Sequence, residues 1–278
     1  MFISIGELLL DVTIQPREGQ LAFDDDAPAS ISIGGGGQAA NFCAWAAALG
    51  ERSRLVTRLG ADESGRRLVA EIEAGGVEVR AVIGPEPTGA IAVFVGSGGR
   101  TFATQRGAST GLRPEDLVPE WFAGARLIHV PGYSLFVEPL ASAARRAVEL
   151  AREAGAVVSI DLSSAAGLRE YGGARMAYDL ARLRPELLFA NEAEASELGA
   201  PLEGLAKVPV LKLGARGCLV FGRRVPAPVV AEVDPNGAGD AFAAAFCASY
   251  LDGAQPLEAA GRAVLVGARA VQKQGARP

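Results

Sequence analysis

From about residue 125 onward, short runs that are apolar at every position alternate with longer runs whose apolar residues recur at helical spacing. The strand-like "ARLIHV" is followed by "EPLASAARRAVELAREAG", then "AVVSID", "ARMAYDLARL" and "LLFAN". A strand apolar on both faces must be covered on both faces, and parallel strands need a long crossover between them. The pattern therefore predicts an α/β fold with a parallel sheet between layers of helices. Within 138–154, Leu140, Ala144, Ala147, Val148 and Ala151 mark one helix face, and Gly155 supplies a stop. Beyond it, "VPVLKLG", "CLVFG" and "RVPAPVV" read as short strands with tight connections, ahead of two helices from about 238 and 256.

Two earlier stretches differ in character. "VTIQPREGQLAFDDDAPASISIG" and "TGAIAVFVGSGGRTFATQRGAS" hold β-prone residues and turn signals without helical spacing. They predict a small appended sheet, a lid of about 12–33 and 88–105. The opening "MFISIGELLLDV" reads as one buried first strand ending at Asp11; it lacks a basic leader and carries Glu7 and Asp11, so a cytoplasmic address is expected. No apolar stretch is long enough to cross a bilayer. A net charge of -5 without a basic cluster argues against nucleic acid as a partner. Cys43, Cys218 and Cys247 each sit in an apolar run without metal-ligand spacing, and read as small buried hydrophobes.

The stretch "DPNGAGDAF", residues 234–242, leads directly into an alanine-rich run. A helix start offers unpaired N–H groups and positive dipole density, and glycines let an anion approach them. Gly237, Ala238 and Gly239 fit such an anion site, with Asp240 projecting from the first turn. Asp240 alone reads equally well as a complement to the helix dipole. A carboxylate beside an anion site repels the ligand unless it has chemical work, and a general base is the natural role.

"GGGGQAANFCAWAAALG" also runs from a strand-like segment into a helix. Gly34, Gly36 and Ala39 match a loose dinucleotide fingerprint, yet "SRLVTRLG" ends without the acidic residue such a site expects. The other readings are close approach of a polyhydroxylated ligand, with Asn41 bonding its hydroxyls, or tight packing. No Lys follows a Gly, so there is no Walker A loop. "NEAE" and "KLGARG" both fall at the carboxyl ends of strands, where open α/β sheets bind ligands. Asn191 and Glu194 suit a hydrated magnesium, or simply a helix cap. Asp11 suits two hydroxyls of one ligand, or a turn. His129, the single histidine, reads as an interior residue within a strand.

In this order the stretches resemble the ribokinase-like, or PfkB, family of carbohydrate kinases over nearly the whole chain. "GELLLD" resembles the first strand with its sugar-binding Asp11. "GGQAANFCAWAAALG" resembles the first signature, which implies Gly36, Gly37 and Asn41 at the sugar. "NEAE" implies magnesium held through water by Glu194, with Asn191 near the phosphates. "KLGARG" implies Lys212, Gly214 and Gly217 near ATP. "DPNGAGDAF" implies an anion hole at Gly237, Ala238 and Gly239 and a catalytic base at Asp240.

The resemblance further implies a three-layer α/β/α kinase domain over 1–278 with a mostly parallel sheet. A β lid would close over a small sugar and form a homodimer contact. Position 38 is Gln where ribokinases usually have Lys, and Arg106 is placed to reach a polar substrate from the lid. Asp234 and the turn near Gly275 are candidates for a monovalent-cation site taking K+, although the family's later ligand position has no counterpart here. A nucleoside kinase using Phe94 and Phe102 as base platforms is the rival within the fold; an NAD(P)-dependent oxidoreductase built on Gly34, Gly36 and Ala39 is the rival outside it.

Overall fold

A computed structural model describes residues 1–18, 24, 26–96 and 99–278. The chain opens with β1 (Phe2–Ile5), β2 (Leu9–Pro16), β3 (Ala29–Gly36) and α1 (Gln38–Ala48). Next come β4 (Ser53–Gly60), α2 (Glu63–Ala74), β5 (Val77–Gly84), β6 (Thr88–Gly96) and β7 (Gly99–Gly107). The regular alternation follows as β8 (Leu127–Pro131), α3 (Tyr133–Phe136), α4 (Leu140–Glu153), β9 (Val157–Asp161), α5 (Ala165–Tyr171), α6 (Gly173–Leu183) and β10 (Leu187–Asn191). After α7 (Glu192–Leu198), β11 (Val208–Lys212), β12 (Cys218–Val220) and β13 (Arg223–Val225), the helices α8 (Ala238–Leu251) and α9 (Pro256–Ala270) complete the helical layers.

Among the described residues, nine strands form the main sheet in the order β13-β12-β11-β10-β9-β8-β1-β4-β5. It is parallel from β5 to β11, with β12 and β13 antiparallel at one edge. One face packs against α1, α8 and α9 through Phe2, Phe42, Phe189 and Phe246; the other packs against α4 and α6 through Ile128, Val148, Ile160 and Leu180. The segments α1 and α8 are apolar nearly all round because each is buried nearly all round. This is the ribokinase-like α/β architecture.

Four strands form the small sheet in the order β3-β2-β6-β7, with β2 and β6 parallel. Of the expected lid ranges, residues 12–16, 29–33, 88–96 and 99–105 lie in these strands, whereas 17, 18, 24 and 26–28 do not; 19–23, 25, 97 and 98 lie outside the described residues.

Two expectations are corrected. The opening is two strands, because the chain breaks at Gly6–Leu8, where Gly6 takes φ 150° and a side chain would overlap Ser134. Asp11 thus stands within β2 of the small sheet, paired with Gly34 and Ile91, and not at the end of the first strand. The stretch "RVPAPVV" holds only the three-residue β13, as prolines at 226 and 228 cannot continue a ladder.

Candidate active site

The carboxyl ends of β1, β8, β9, β10 and β11 open into one cavity of about 930 Å³, roofed by the small sheet. The fold thereby gathers residues far apart in sequence: Asp11, Gly37, Asn41, Arg106, Asn191, Glu194, Lys212, Gly237, Gly239 and Asp240 all line it. A second cavity of about 330 Å³ adjoins it, sharing Lys212 and Gly239. Gly214, Gly217 and Ala238 line that one, among Val229, Val230, Phe242 and Val264.

Gly237 caps α8 in the left-handed region (φ 73°), which favours glycine, and a side chain there would overlap the backbone of Ala276. The helix start leaves the N–H groups of its first turn without intrahelical partners. Asp240, three residues on, is buried and accepts a 3.0 Å hydrogen bond from Asn41 Nδ2. Burial raises its carboxyl to about 7; the Asn41 bond opposes the rise, Asp161 adds to it, and Lys212 and Gln38 oppose it.

Lys212, at the end of β11, is ion-paired with the fully buried Asp161 at the end of β9. Burial alone would lower the ammonium, yet Asp161, Glu194 and Asp240 hold it above its usual value. Asn191 and Glu194 form a complete capping box on α7: Asn191 Oδ1 accepts from Glu194 N at 2.9 Å, and Glu194 Oε2 accepts from Asn191 N at 2.8 Å. The capping and ligand-site readings of this pair therefore coexist, since both residues also face the cavity. Burial and the neighbouring Asp161 raise the Glu194 carboxyl.

At the small-sheet end, Asp11 Oδ1 is a buried oxygen with no hydrogen-bond partner among the described residues, as is Gln38 Oε1. Burial raises Asp11 to about 6, which Arg277 opposes and Glu7 reinforces. Gly36 is not among the lining residues; a side chain at Gly36 would occupy the space of the Asp11 carboxylate, so this glycine serves the site by making room. Arg106 pairs with the buried Glu7 and lies 4.2 Å from the centre of the Tyr133 ring.

Asn41 is engaged on both sides of its amide, because Arg277 Nε donates to Oδ1 at 3.2 Å while Nδ2 serves Asp240. Its oxygen keeps one lone pair, and its nitrogen one N–H, for a hydroxyl. Phe102 lines the cavity. Strand pairing sets Phe102 with Val93 and Phe94 with Thr101, which turns Phe94 to the opposite face of the small sheet.

Asp234 lines neither cavity. Its oxygens accept N–H groups from Asn236 at 2.9 Å and Gly275 at 3.0 Å, so it fastens the 275–278 segment to the turn before α8. His129 is buried and stacked on Phe42, and burial lowers it to about 3, leaving it neutral. The three cysteines are free and buried.

Asp161, Glu7 and Arg277 were not expected at the site. Asp161 ends the apolar strand "VVSID", the same signal that drew attention to Asn191. Nothing local points to Arg277, whose partners lie in α1, α2 and β3.

A parallel sheet ending in a glycine-bounded helix start beside a buried carboxylate, with a second small sheet above it, is the arrangement of the ribokinase-like fold. The chain belongs to the pfkB family of carbohydrate kinases, whose family model it matches over residues 1–278. It is therefore a phosphotransferase with an alcohol group as acceptor. It is 32% identical over 267 residues to Fructokinase-1 of Oryza sativa subsp. japonica, covering 88% of this chain and 81% of that protein. To the Fructokinase of Solanum tuberosum it is 29% identical over 269 residues, covering 93% and 83%.

Among solved structures, adenosine kinase from Sinorhizobium meliloti aligns with a TM-score of 0.86 at 25% identity, covering 100% of this chain and 95% of that one. An uncharacterized sugar kinase from Pyrococcus horikoshii, in complex with ATP, shares the fold with a TM-score of 0.84 at 23% identity, covering 99% and 94%. Membership of this family removes the oxidoreductase reading, and so does the structure: Gly34 and Gly36 are ladder residues inside β3, not a turn opening onto a helix. No helix among the described residues is long and apolar enough to cross a membrane.

Proposed function

We propose that the protein transfers the γ-phosphate of ATP to a hydroxyl of a small sugar held between Asp11 and Asp240. The observation that carries this reading is the buried carboxyl of Asp240, raised to about 7, standing in the first turn of α8 at the wall of the larger cavity, next to Gly239, which both cavities share. A base poised near the operating pH gives the best product of deprotonated fraction and proton affinity. Asp240 takes the proton from the attacking hydroxyl. The N–H groups of Gly237 and Gly239, and that of Ala238 once it leaves its 3.4 Å bond to Pro235 O, stabilise the charge on the phosphoryl group in flight.

The orphaned oxygens of Asp11 and Gln38 need donors, which the hydroxyls of a sugar supply. The smaller, largely apolar cavity beyond Lys212 suits the adenine of ATP, with Gly214 and Gly217 at its wall. Asn191 and Glu194 fit a hydrated magnesium: both oxygens of Glu194 already accept from Asn191, so contact through water suits them better than direct ligation. When bound, the metal neutralises charge on the polyphosphate. Asp234 fits a potassium ligand less well, because both its oxygens face N–H donors.

Residues 1–278 act in this reading as one kinase domain. The small sheet is its lid and excludes water from the donor phosphate. Ile31 and Ile33 lie exposed on the lid face opposite Asp11, an apolar surface that a second copy of the chain would cover.

A thermal-shift panel of hexoses, pentoses and nucleosides, with and without ATP and magnesium, tests the substrate, since ligands of the folded state raise the melting midpoint. Sugars should shift it and support ADP release. A shift and turnover with nucleosides alone would transfer the reading to nucleoside phosphorylation through Phe102.

A further inference from the structure

A carboxylate that is to act as base is best served by neighbours that donate to it. Asn41 is ambiguous in this respect, since its amide has a donor end and an acceptor end at similar positions. A guanidinium has donors only, so Arg277 Nε, 3.2 Å from Asn41, fixes which end faces it: the oxygen. The nitrogen is thereby turned to Asp240 Oδ2 at 3.0 Å.

Arg277 is itself held. Its Nη2 donates to Gly36 O at 2.9 Å, its Nη1 reaches Glu71 Oε1 at 3.4 Å, and the adjacent Ala276 O accepts from Trp45 Nε1 at 2.9 Å. The absence of a side chain at Gly35 and at Gly237 leaves room for this segment.

We propose that Arg277 is a positioning residue that locks the Asn41 amide with its N–H toward Asp240, keeping the base ionised and oriented. With the guanidinium gone the amide is released to turn over, and its oxygen would then face a carboxylate that could pair with it only when protonated. The other groups facing Asp240 are Gln38 from α1, Asp161 from β9 and Lys212 from β11, with Glu194 of α7 beyond Lys212. None of them touches the Asn41 oxygen, so none replaces Arg277. This inference rests on reading Asp240 as the base.

The test is the pH dependence of kcat in R277M and R277Q, each alone and with N41A. Methionine ends in a methyl group where Nε stands; glutamine keeps an N–H donor at that point, beside an acceptor oxygen. R277M should move the acid limb of kcat upward by roughly one pH unit, the worth of a hydrogen bond to a charged group, so that turnover below the limb falls about tenfold and recovers at high pH. R277Q, whose amide can offer either its donor or its acceptor end to Asn41, should give a profile between those of wild type and R277M. In the N41A background R277M should add no further shift, because the residue through which it acts is gone. R277L, which likewise has no donor, replaces R277M should that variant not fold.

A uniform loss of kcat at all pH values with the limb unmoved, or an equal shift with and without Asn41, would overturn the proposal while leaving the base intact. Undiminished turnover in D240N would instead remove the base itself, and this inference with it.

Discussion

Replacing Asp240 with Asn should make the protein more stable and nearly inactive at once. The carboxyl moves from 3.8 to about 7 on folding, so keeping it ionised at pH 8 costs the native state ~4 kcal/mol relative to the unfolded chain. The sign follows from proton counting. With a raised native pKa, the folded state binds more protons than the unfolded state across this interval. Stability is therefore lost as pH rises from about 4 to about 7, and levels off above.

Asparagine removes that cost while its oxygen still accepts from Asn41. It also deprives Lys212 of one of its neighbouring negative charges. If half of the gain survives, D240N is ~2 kcal/mol more stable at pH 8, a rise of about 4–8 °C in Tm. Scanning calorimetry from pH 4 to pH 8 should show the two proteins melting close together at the acid end and separating as pH rises. A coupled assay of ADP release should show kcat lower by about 10²–10⁴-fold, the usual worth of a general base. A D240N protein that melts no higher than wild type at pH 8, or a gap that does not widen with pH, would refute the idea that Asp240 is held charged against its burial.

Two further substitutions probe the same cluster. K212M strands the fully buried Asp161 without its counter-charge and should cost ~3–5 kcal/mol in urea unfolding, most of it regained in the double variant D161N/K212M. D11N should raise KM for the sugar and abolish its pH dependence. In wild type, KM should climb as pH falls through about 6 and Asp11 takes up its proton; a D11N profile that still bends there would assign the titration to another group.

The sequence foretold these parts unequally, for identifiable reasons. The layers from β8 to α9 were legible because strands such as "LLFAN" are apolar throughout, and because helices such as α4 repeat their apolar residues at a period no strand can use. The break after β1 was not, since "FISIGELLLDV" is an uninterrupted apolar-rich run and only the φ of Gly6 and the nearness of Ser134 mark the break there. The short helix α5 was also missed, its seven residues offering too few repeats to reveal a period.

Motifs at strand ends led to Asn191 and Lys212, and one at a helix start led to Asp240, each placed by its own local segment. Asp161 carried the same signal without the flanking glycines that make a motif conspicuous. Arg277 had none, because its meaning arises from contact with α1, α2 and β3, more than two hundred residues earlier in the chain.

The parallel pairing of β2 with β6 has a kinetic consequence. The strands that meet in the small sheet are separated along the chain by α1, β4, α2 and β5, all of which belong to the main body. Closing that ladder pays a long loop entropy that the local β2–β3 and β6–β7 hairpins do not. The order of assembly should therefore be body first and roof last, with pulse-labelled amides of β4 and β5 gaining protection before those of β2 and β6. A refolding chain would pass through a stage at which its machinery for phosphate is built but still open to water, and it would become a sugar kinase only when the roof closes.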